Sequence, residues 1–389
     1  VIIKLLQNKK HGIMQKILIA VDSFKDSLTS SQVADTIEQA LKEADSELNI
    51  VKMPLSDGGE GLTEVLVNAL GGRFHIIDTV DPLMRPIKVK FGSVENTAII
   101  EMATAAGLEL LKPEERNPMH TTTWGVGLMM QAALDLGYKK MLIGLGGSAT
   151  NDAGLGAMQA LGLRCYNSQG RIMKNGITGK DLADLAHIDL FTLKRKFQDI
   201  EIKVACDVHN PFFGPQGAAC VYAAQKGASP EEVQLLDAGL RHTSHVWRRS
   251  GGMIIDNVQG AGAAGGFGGT LSTLLNAKVS TGIECVLDLL HFNEQIEETD
   301  LLITGEGSID AQSFMGKALS GILRRANQFH IPVLAVAGRI LDRDALIRAG
   351  VSDCIEITPR NMSIEEAIVP ETAKTNLYNA VNNWYKFGR

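Results

Sequence analysis

No run of about 18 apolar residues occurs in this sequence, so no membrane-spanning helix can be placed in it. Basic residues are not in excess: 38 Lys and Arg stand against 44 Asp and Glu, a net charge of -6, which leaves no stripe to track a nucleic-acid backbone. Cys165, Cys206, Cys220, Cys285 and Cys354 are odd in number, far apart and without CxxC pairing, which excludes a disulfide framework or zinc cluster and fits a reducing cytoplasm. The nine histidines make no HExxH or similar pair, so a zinc hydrolase would lack its usual ligands. Internal repeats and low-complexity tracts are also missing. Residues 1–13 interrupt their few apolar positions with Lys4, Gln7, Lys9 and Lys10, lack the apolar centre of a signal peptide, and read as an upstream extension. These absences predict a soluble cytoplasmic protein with neither nucleic acid nor membrane as partner.

What the sequence has in quantity is glycine, 40 residues in 389, where average usage of about 7% would give about 27. The length exceeds what one hydrophobic core usually fills, so two domains are expected. Lys16–Val21 is a short apolar run ending at Asp22, and Ser30–Glu43 follows with apolar residues at helical spacing. Ile50–Leu55 and Thr63–Leu70 repeat the strand and helix, with Asp57-Gly58-Gly59-Glu60-Gly61 between them. Asp300–Thr304, Val333–Ala337 and Cys354–Ile357 supply further apolar strands near the other end. Such strands alternating with helices predict a doubly wound parallel sheet, Rossmann- or flavodoxin-like, formed by residues 14–74 and 291–389. Alternation of apolar and polar residues in Phe74–Ile100 suits antiparallel strands, so residues 75–290 are expected to form an inserted α/β domain with a mixed sheet.

Several loops carry candidate chemistry. Met141–Leu145 runs as a strand into Gly146-Gly147-Ser148-Ala149-Thr150-Asn151-Asp152, before a helix beginning at Leu155. Strand, glycine turn and helix start make an anion-binding geometry, because glycine lets backbone amides approach a phosphate and Ser148 or Thr150 can donate. A capped turn is the alternative, and Asp152 is ambiguous because it would repel phosphate. Gly260, Gly262 and Gly265 match G-x-G-x-x-G, which serves either phosphate binding or close packing through small residues. Glu306 and Asp310 follow an apolar strand, where a pair of carboxylates suits metal or acid–base work. Lys317 follows Gly316 but fails the Walker spacing, leaving it a point charge for phosphate or a solvated lysine. Asp22, Ser23 and Lys25, with Asp57 and Glu60, fall after the first two strands at the same expected sheet edge. Asp207 ends a β-rich run and suits Mg²⁺, a base or a turn cap. Arg85 and Gln225-Lys226-Gly227 offer cations and donors.

In order along the chain, Val21-Asp22-Ser23-Phe24-Lys25, Asp57 to Gly61, Gly146 to Asp152, Cys206-Asp207-Val208, Gln225-Lys226-Gly227, Gly260 to Gly266 and Thr304 to Gly307 resemble the bacterial glycerate kinase family of the first type. The resemblance covers nearly everything from about Met14 onward, with Met84 where family members commonly carry glycine. It implies two α/β domains with a cleft, and ATP-dependent phosphorylation of D-glycerate with Mg²⁺, 2-phosphoglycerate being favoured over 3-phosphoglycerate. Phosphoryl transfer needs positioning and charge neutralisation above all. The expected division is therefore ATP phosphates on Gly146, Gly147, Ser148, Thr150 and Asn151 and on Gly260, Gly262 and Gly265, with Lys317. Asp207 and Glu306 would place Mg²⁺, and Asp207 or Asp310 would orient the attacking hydroxyl. Arg85 or Lys25 would meet the glycerate carboxylate beside Asp22, Ser23, Asp57 and Glu60. Homo-oligomerisation is left open. The rivals are a nicotinamide-dependent hydroxy-acid dehydrogenase, which needs a ribose-binding acid that the Gly260 segment lacks, and a non-catalytic sugar-acid sensor.

Overall fold

A computed structural model describes residues 16–53, 55, 61–310, 313 and 318–387. The chain divides into two compact units, one comprising Val1–Asp57 with Val286–Arg389, the other Gly58–Cys285. Strands are numbered along the whole chain.

The discontinuous unit is built on β1 (Lys16–Ile19), β2 (Asn49–Lys52), β11 (Leu301–Ile309), β12 (Val333–Ile340) and β13 (Asp353–Glu356). They lie in the order β13-β12-β11-β1-β2, all neighbours parallel. Counted within the unit this is the 2-1-3-4-5 order of flavodoxin-like folds, whose direction of winding reverses between β1 and β11. Successive residues Ile17, Leu18, Ile19, Leu301, Leu302 and Ile303 are all buried, so the sheet is covered on both faces and its strands read as continuous apolar runs. One face packs on helices Ser30–Ala44 and Pro370–Phe387 through Val33, Ile37, Leu41, Leu377 and Trp384. Thr29 starts the first of these helices with a reciprocal cap to Gln32, worth about 1 kcal/mol.

The contiguous unit holds a sheet in the order β10-β9-β6-β5-β4-β3. Its strands are β3 (Arg73–Val80), β4 (Pro86–Val94), β5 (Thr97–Glu101), β6 (Lys140–Gly144), β9 (Glu201–Ala205) and β10 (Lys278–Ser280). Pairs β3–β4 and β4–β5 are antiparallel and the rest parallel, the mixed sheet expected from the alternation in Phe74–Ile100. A separate hairpin pairs β7 (Arg164–Asn167) with β8 (Leu185–Asp189). The unit begins ahead of position 75 because helix Leu62–Ala69 lies against β4 and β5. Glu101, closing β5, accepts from the amides of Gly61 and Thr63 at 2.9 Å each and caps that helix. Among the described residues no helix is long and apolar enough to cross a membrane.

Candidate active site

Four parallel strands of the contiguous unit end level with one another, Glu101 beside Gly144, Gly144 beside Ala205 and Ala205 beside Ser280. Ligands of α/β sheets gather at such carboxyl ends. From Gly144 the chain enters the loop expected to bind phosphate. Gly147 takes φ +69, and the turn is pinned by bonds from the Leu108 amide to the Gly147 carbonyl (2.9 Å) and from the Ala149 amide to the Ala106 carbonyl (2.8 Å). Gly146 and Gly147 are exposed, and a Cβ on Gly146 would meet nothing within 4 Å. Among the described residues the amides of Gly146, Gly147 and Ser148 have no acceptor.

Beneath this turn lies a buried cation. Lys226 is 3% exposed, and its ammonium donates to Ser148 Oγ and to the Thr150 carbonyl, both at 2.8 Å. Burial pushes its pKa down to about 7, against the pull of the Asp152 carboxylate toward the charged form. Gly227 closes the lysine's short helical turn at φ +99, where any Cβ would collide with the Arg116 carbonyl. Next to it, Asn151 is 1% exposed and neither atom of its amide has a partner among the described residues, nor does Thr150 Oγ1. Each such orphan costs about 1–3 kcal/mol in a folded interior.

Asp152 turns its carboxylate into the protein. Its fully buried carboxylate accepts from the Thr123 amide (2.8 Å), Thr123 Oγ1 (2.7 Å), and the Gly154 (3.0 Å) and Gly156 (3.2 Å) amides. Burial raises its pKa, and these four donors oppose the rise. The start of helix Leu155–Ala160, which the sequence pattern offered to phosphate, is therefore capped from within the protein.

The glycines of the Gly260 segment meet neighbouring backbone. Residues 260–270 are all buried. A Cβ at Gly262 would press on the Asn210 and Pro211 carbonyls, and one at Gly265 would collide with the Thr150 carbonyl and Asn151 Cα. Gly265 takes φ +66 and accepts from the Ala153 amide at 3.0 Å. Gly260, at φ +68, packs on Val279 and Cys206. These glycines let two backbones touch, so the segment buttresses Thr150–Ala153.

Arg85 is also committed elsewhere. Its guanidinium pairs with the buried Asp81 and with Glu115 Oε1 (2.7 Å), and these two carboxylates hold it firmly protonated. Met84, where glycine was expected, adopts φ +66 and reaches Gly176 with its thioether. Asp207 is exposed at the end of β9 and accepts from the amide of Gly282 (3.1 Å), first residue of helix Gly282–Leu289.

In the discontinuous unit, Asp22, Ser23 and Lys25 follow β1 at the point where strand order reverses. The Asp22 amide donates to the Gly305 carbonyl (2.9 Å), and a Cβ on Gly307 would lie 3.1 Å from the Lys25 nitrogen, so this turn rides directly on the stretch bearing Glu306. That stretch is not the loop its glycines suggested: β11 continues through it, with Glu306 beside Ala337 and Ile309 beside Ile340. Thr304 Oγ1 is buried there without a partner among the described residues. Asp310 closes a turn with Ser313, exchanging bonds of 3.2 Å. Asp57, Glu60 and Lys317 lie outside the described residues. Among the described residues no three His, Cys, Asp or Glu gather as a metal cage.

The structure thus brings Gly146, Gly147, Ser148, Thr150 and Asn151 together with Lys226, which the sequence offered only as a cation within Gln225-Lys226-Gly227. A lysine whose head is buried leaves no trace in hydropathy.

Comparison with known proteins places the chain in a family. A model of the glycerate kinase family matches residues 17–387. A glycerate kinase of Haemophilus influenzae is 45% identical over 339 residues, covering 86% of this chain and 89% of its own. The glycerate 2-kinase of Escherichia coli K12 is 40% identical over 329 residues, covering 84% and 86% respectively. A crystal structure from Salmonella typhimurium LT2, assigned there as glycerate kinase 2, superposes with a TM-score of 0.85 at 38% identity, covering 96% of this chain and 98% of that one. With a family model matched almost end to end and relatives at these identities, the chain belongs to the glycerate kinase family.

Proposed function

We propose that this protein is an ATP-dependent glycerate kinase that phosphorylates D-glycerate in the cytoplasm, at the 2-hydroxyl, with Mg²⁺ as the ion accompanying ATP. The observation that carries the reading is the exposed Gly146–Gly147 turn, with uncommitted amides above and the Lys226 ammonium beneath. Amides that need no rearrangement, backed by a buried positive charge, suit the oxygens of a transferring phosphoryl group.

In the reaction, the glycerate hydroxyl oxygen bonds to the γ-phosphorus, the bond from that phosphorus to the ADP oxygen breaks, and the hydroxyl proton passes to a carboxylate. Asp310 and Asp207 are the candidates for that proton, both at strand ends. Lys25 takes the glycerate carboxylate, Asp22 and Ser23 take its hydroxyls, and Arg85 stays with Asp81 and Glu115. Mg²⁺, when bound with ATP, would supply charge neutralisation, and Glu306 and Asp207 are each a candidate carboxylate ligand for it. The support for the 2-hydroxyl is the name of the Escherichia coli relative, a glycerate 2-kinase.

The test is a coupled assay on purified protein with ATP, Mg²⁺ and D-glycerate, following ADP, alongside a parallel assay for NADH. Glycerate-dependent ADP release and a phosphorus NMR signal for 2-phosphoglycerate are expected. NADH formation, or ADP release indifferent to glycerate, refutes the assignment.

A further inference from the structure

Hydrogen-bond accounting around Lys226 carries the site one step further. An ammonium has three donors and no acceptor, and a serine hydroxyl has one donor and two lone pairs. Lys226 spends one N–H on Ser148 Oγ and one on the Thr150 carbonyl. With Lys226 protonated, Ser148 can only accept from it, and its own O–H, for which no acceptor stands among the described residues, is left to point outward. Above it lie the exposed glycines, and beside it the unpartnered Thr150 hydroxyl and Asn151 amide, both buried.

We propose that Lys226 is a positioning residue that sets the Ser148 hydroxyl as a donor to a nucleotide phosphate on the Gly146–Ser148 turn, and that binding of this phosphate draws a proton onto Lys226. This deepens the kinase reading and rests on it. The charged groups around the lysine are accounted for. Asp152, from the same loop, favours its protonated form. Arg116 offers its carbonyl toward Gly227 and sends its guanidinium to the Leu111 carbonyl (3.3 Å). Glu232, on helix Pro230–Arg249, is bonded to Asn117 and Ser229. Burial, partly offset by Asp152, brings the lysine near its balance point at neutral pH, so an arriving anion tips it to the charged form.

Calorimetry of a non-hydrolysable ATP analogue binding to the intact protein, at pH 8 in buffers of different ionisation heat, reads the proton directly. Net uptake of about half to one proton is expected for the wild type and none for Lys226→Met. In steady-state assays Lys226→Met and Ser148→Ala should each raise KM for ATP about tenfold, with the double variant no worse than the poorer single one, since both remove one oriented donor. A lysine that merely braces the fold would lower Tm without proton uptake, and its effect on KM would add to that of Ser148→Ala. If Lys226→Met does not fold, wild-type calorimetry decides alone. Nucleotide binding without proton uptake overturns the proposal and leaves the kinase standing, whereas failure to bind nucleotide at all overturns both.

Discussion

Replacing Asp152 by Asn tests the account of the phosphate loop, because the change preserves shape and alters only charge and donor pattern. Oδ2 receives three donors, from Thr123 N, Thr123 Oγ1 and Gly156 N, while Oδ1 receives the Gly154 amide. An asparagine can keep its oxygen on the crowded side only by turning its NH₂ against the Gly154 N–H. That loses a charge-assisted bond worth about 1.5–3 kcal/mol and leaves a buried donor facing a donor, a further penalty of about 1–3 kcal/mol. Removing a buried charge recovers part of this. The net expectation is destabilisation by about 2–4 kcal/mol, which in a unit of this size lowers its Tm by roughly 4–16 °C. Differential scanning calorimetry of the variant against wild type reads the shift. A Tm within about 2 °C of wild type would mean that the four donors are not holding a carboxylate, and the capping argument would fall with it.

Gly146→Ala and Gly265→Ala separate the two glycine segments. The first has open space for a methyl group and is expected to leave stability within about 0.5 kcal/mol while raising KM for ATP. The second must hold alanine at φ +66 against the Thr150 backbone, a loss of at least 2 kcal/mol visible in urea unfolding. Glu306→Gln is expected to lower kcat at least a hundredfold and raise the Mg²⁺ concentration for half-maximal rate; unchanged Mg²⁺ dependence would remove Glu306 from the metal's shell. The Lys226 pKa, about 7 folded against about 10.4 unfolded, means the unfolded chain binds the extra proton between those values. Stability without ligand should therefore rise with pH across that window, at up to about 1.4 kcal/mol per pH unit, a slope absent from Lys226→Met.

The sheets were legible because buried parallel strands are written as unbroken apolar runs, as in Lys16–Ile19 and Val333–Ala337. The extent of β11 was not, because Gly305-Glu306-Gly307 has the composition of a turn. Those glycines answer instead to close approach, Gly305 to the Val336 carbonyl and Gly307 to Phe24 and Lys25. The same ambiguity governs Gly260 to Gly266, since glycine that admits a phosphate and glycine that admits a neighbouring backbone look alike in one dimension. The Gly146 turn was visible and its helix start misleading, because only three-dimensional structure shows that Asp152 reaches back to cap it. The pairing of Arg85 with Asp81 was within reach of the sequence, four residues away, whereas that with Glu115, 30 residues on, was not.

Pairing of β1 with β11 has a consequence for synthesis on the ribosome. The Lys16 amide is bonded to Asp300, 284 residues further on. At about 5–20 residues per second, β1 emerges roughly 15–60 s before its central neighbour exists. During that delay the nascent Ile17–Ile19 strand has one finished neighbour, β2, and an unpaired edge, while the intervening chain has time to fold as a continuous piece. Chaperone demand during translation should accordingly be concentrated on the stretch from β1 to β2, held waiting for a partner encoded far downstream.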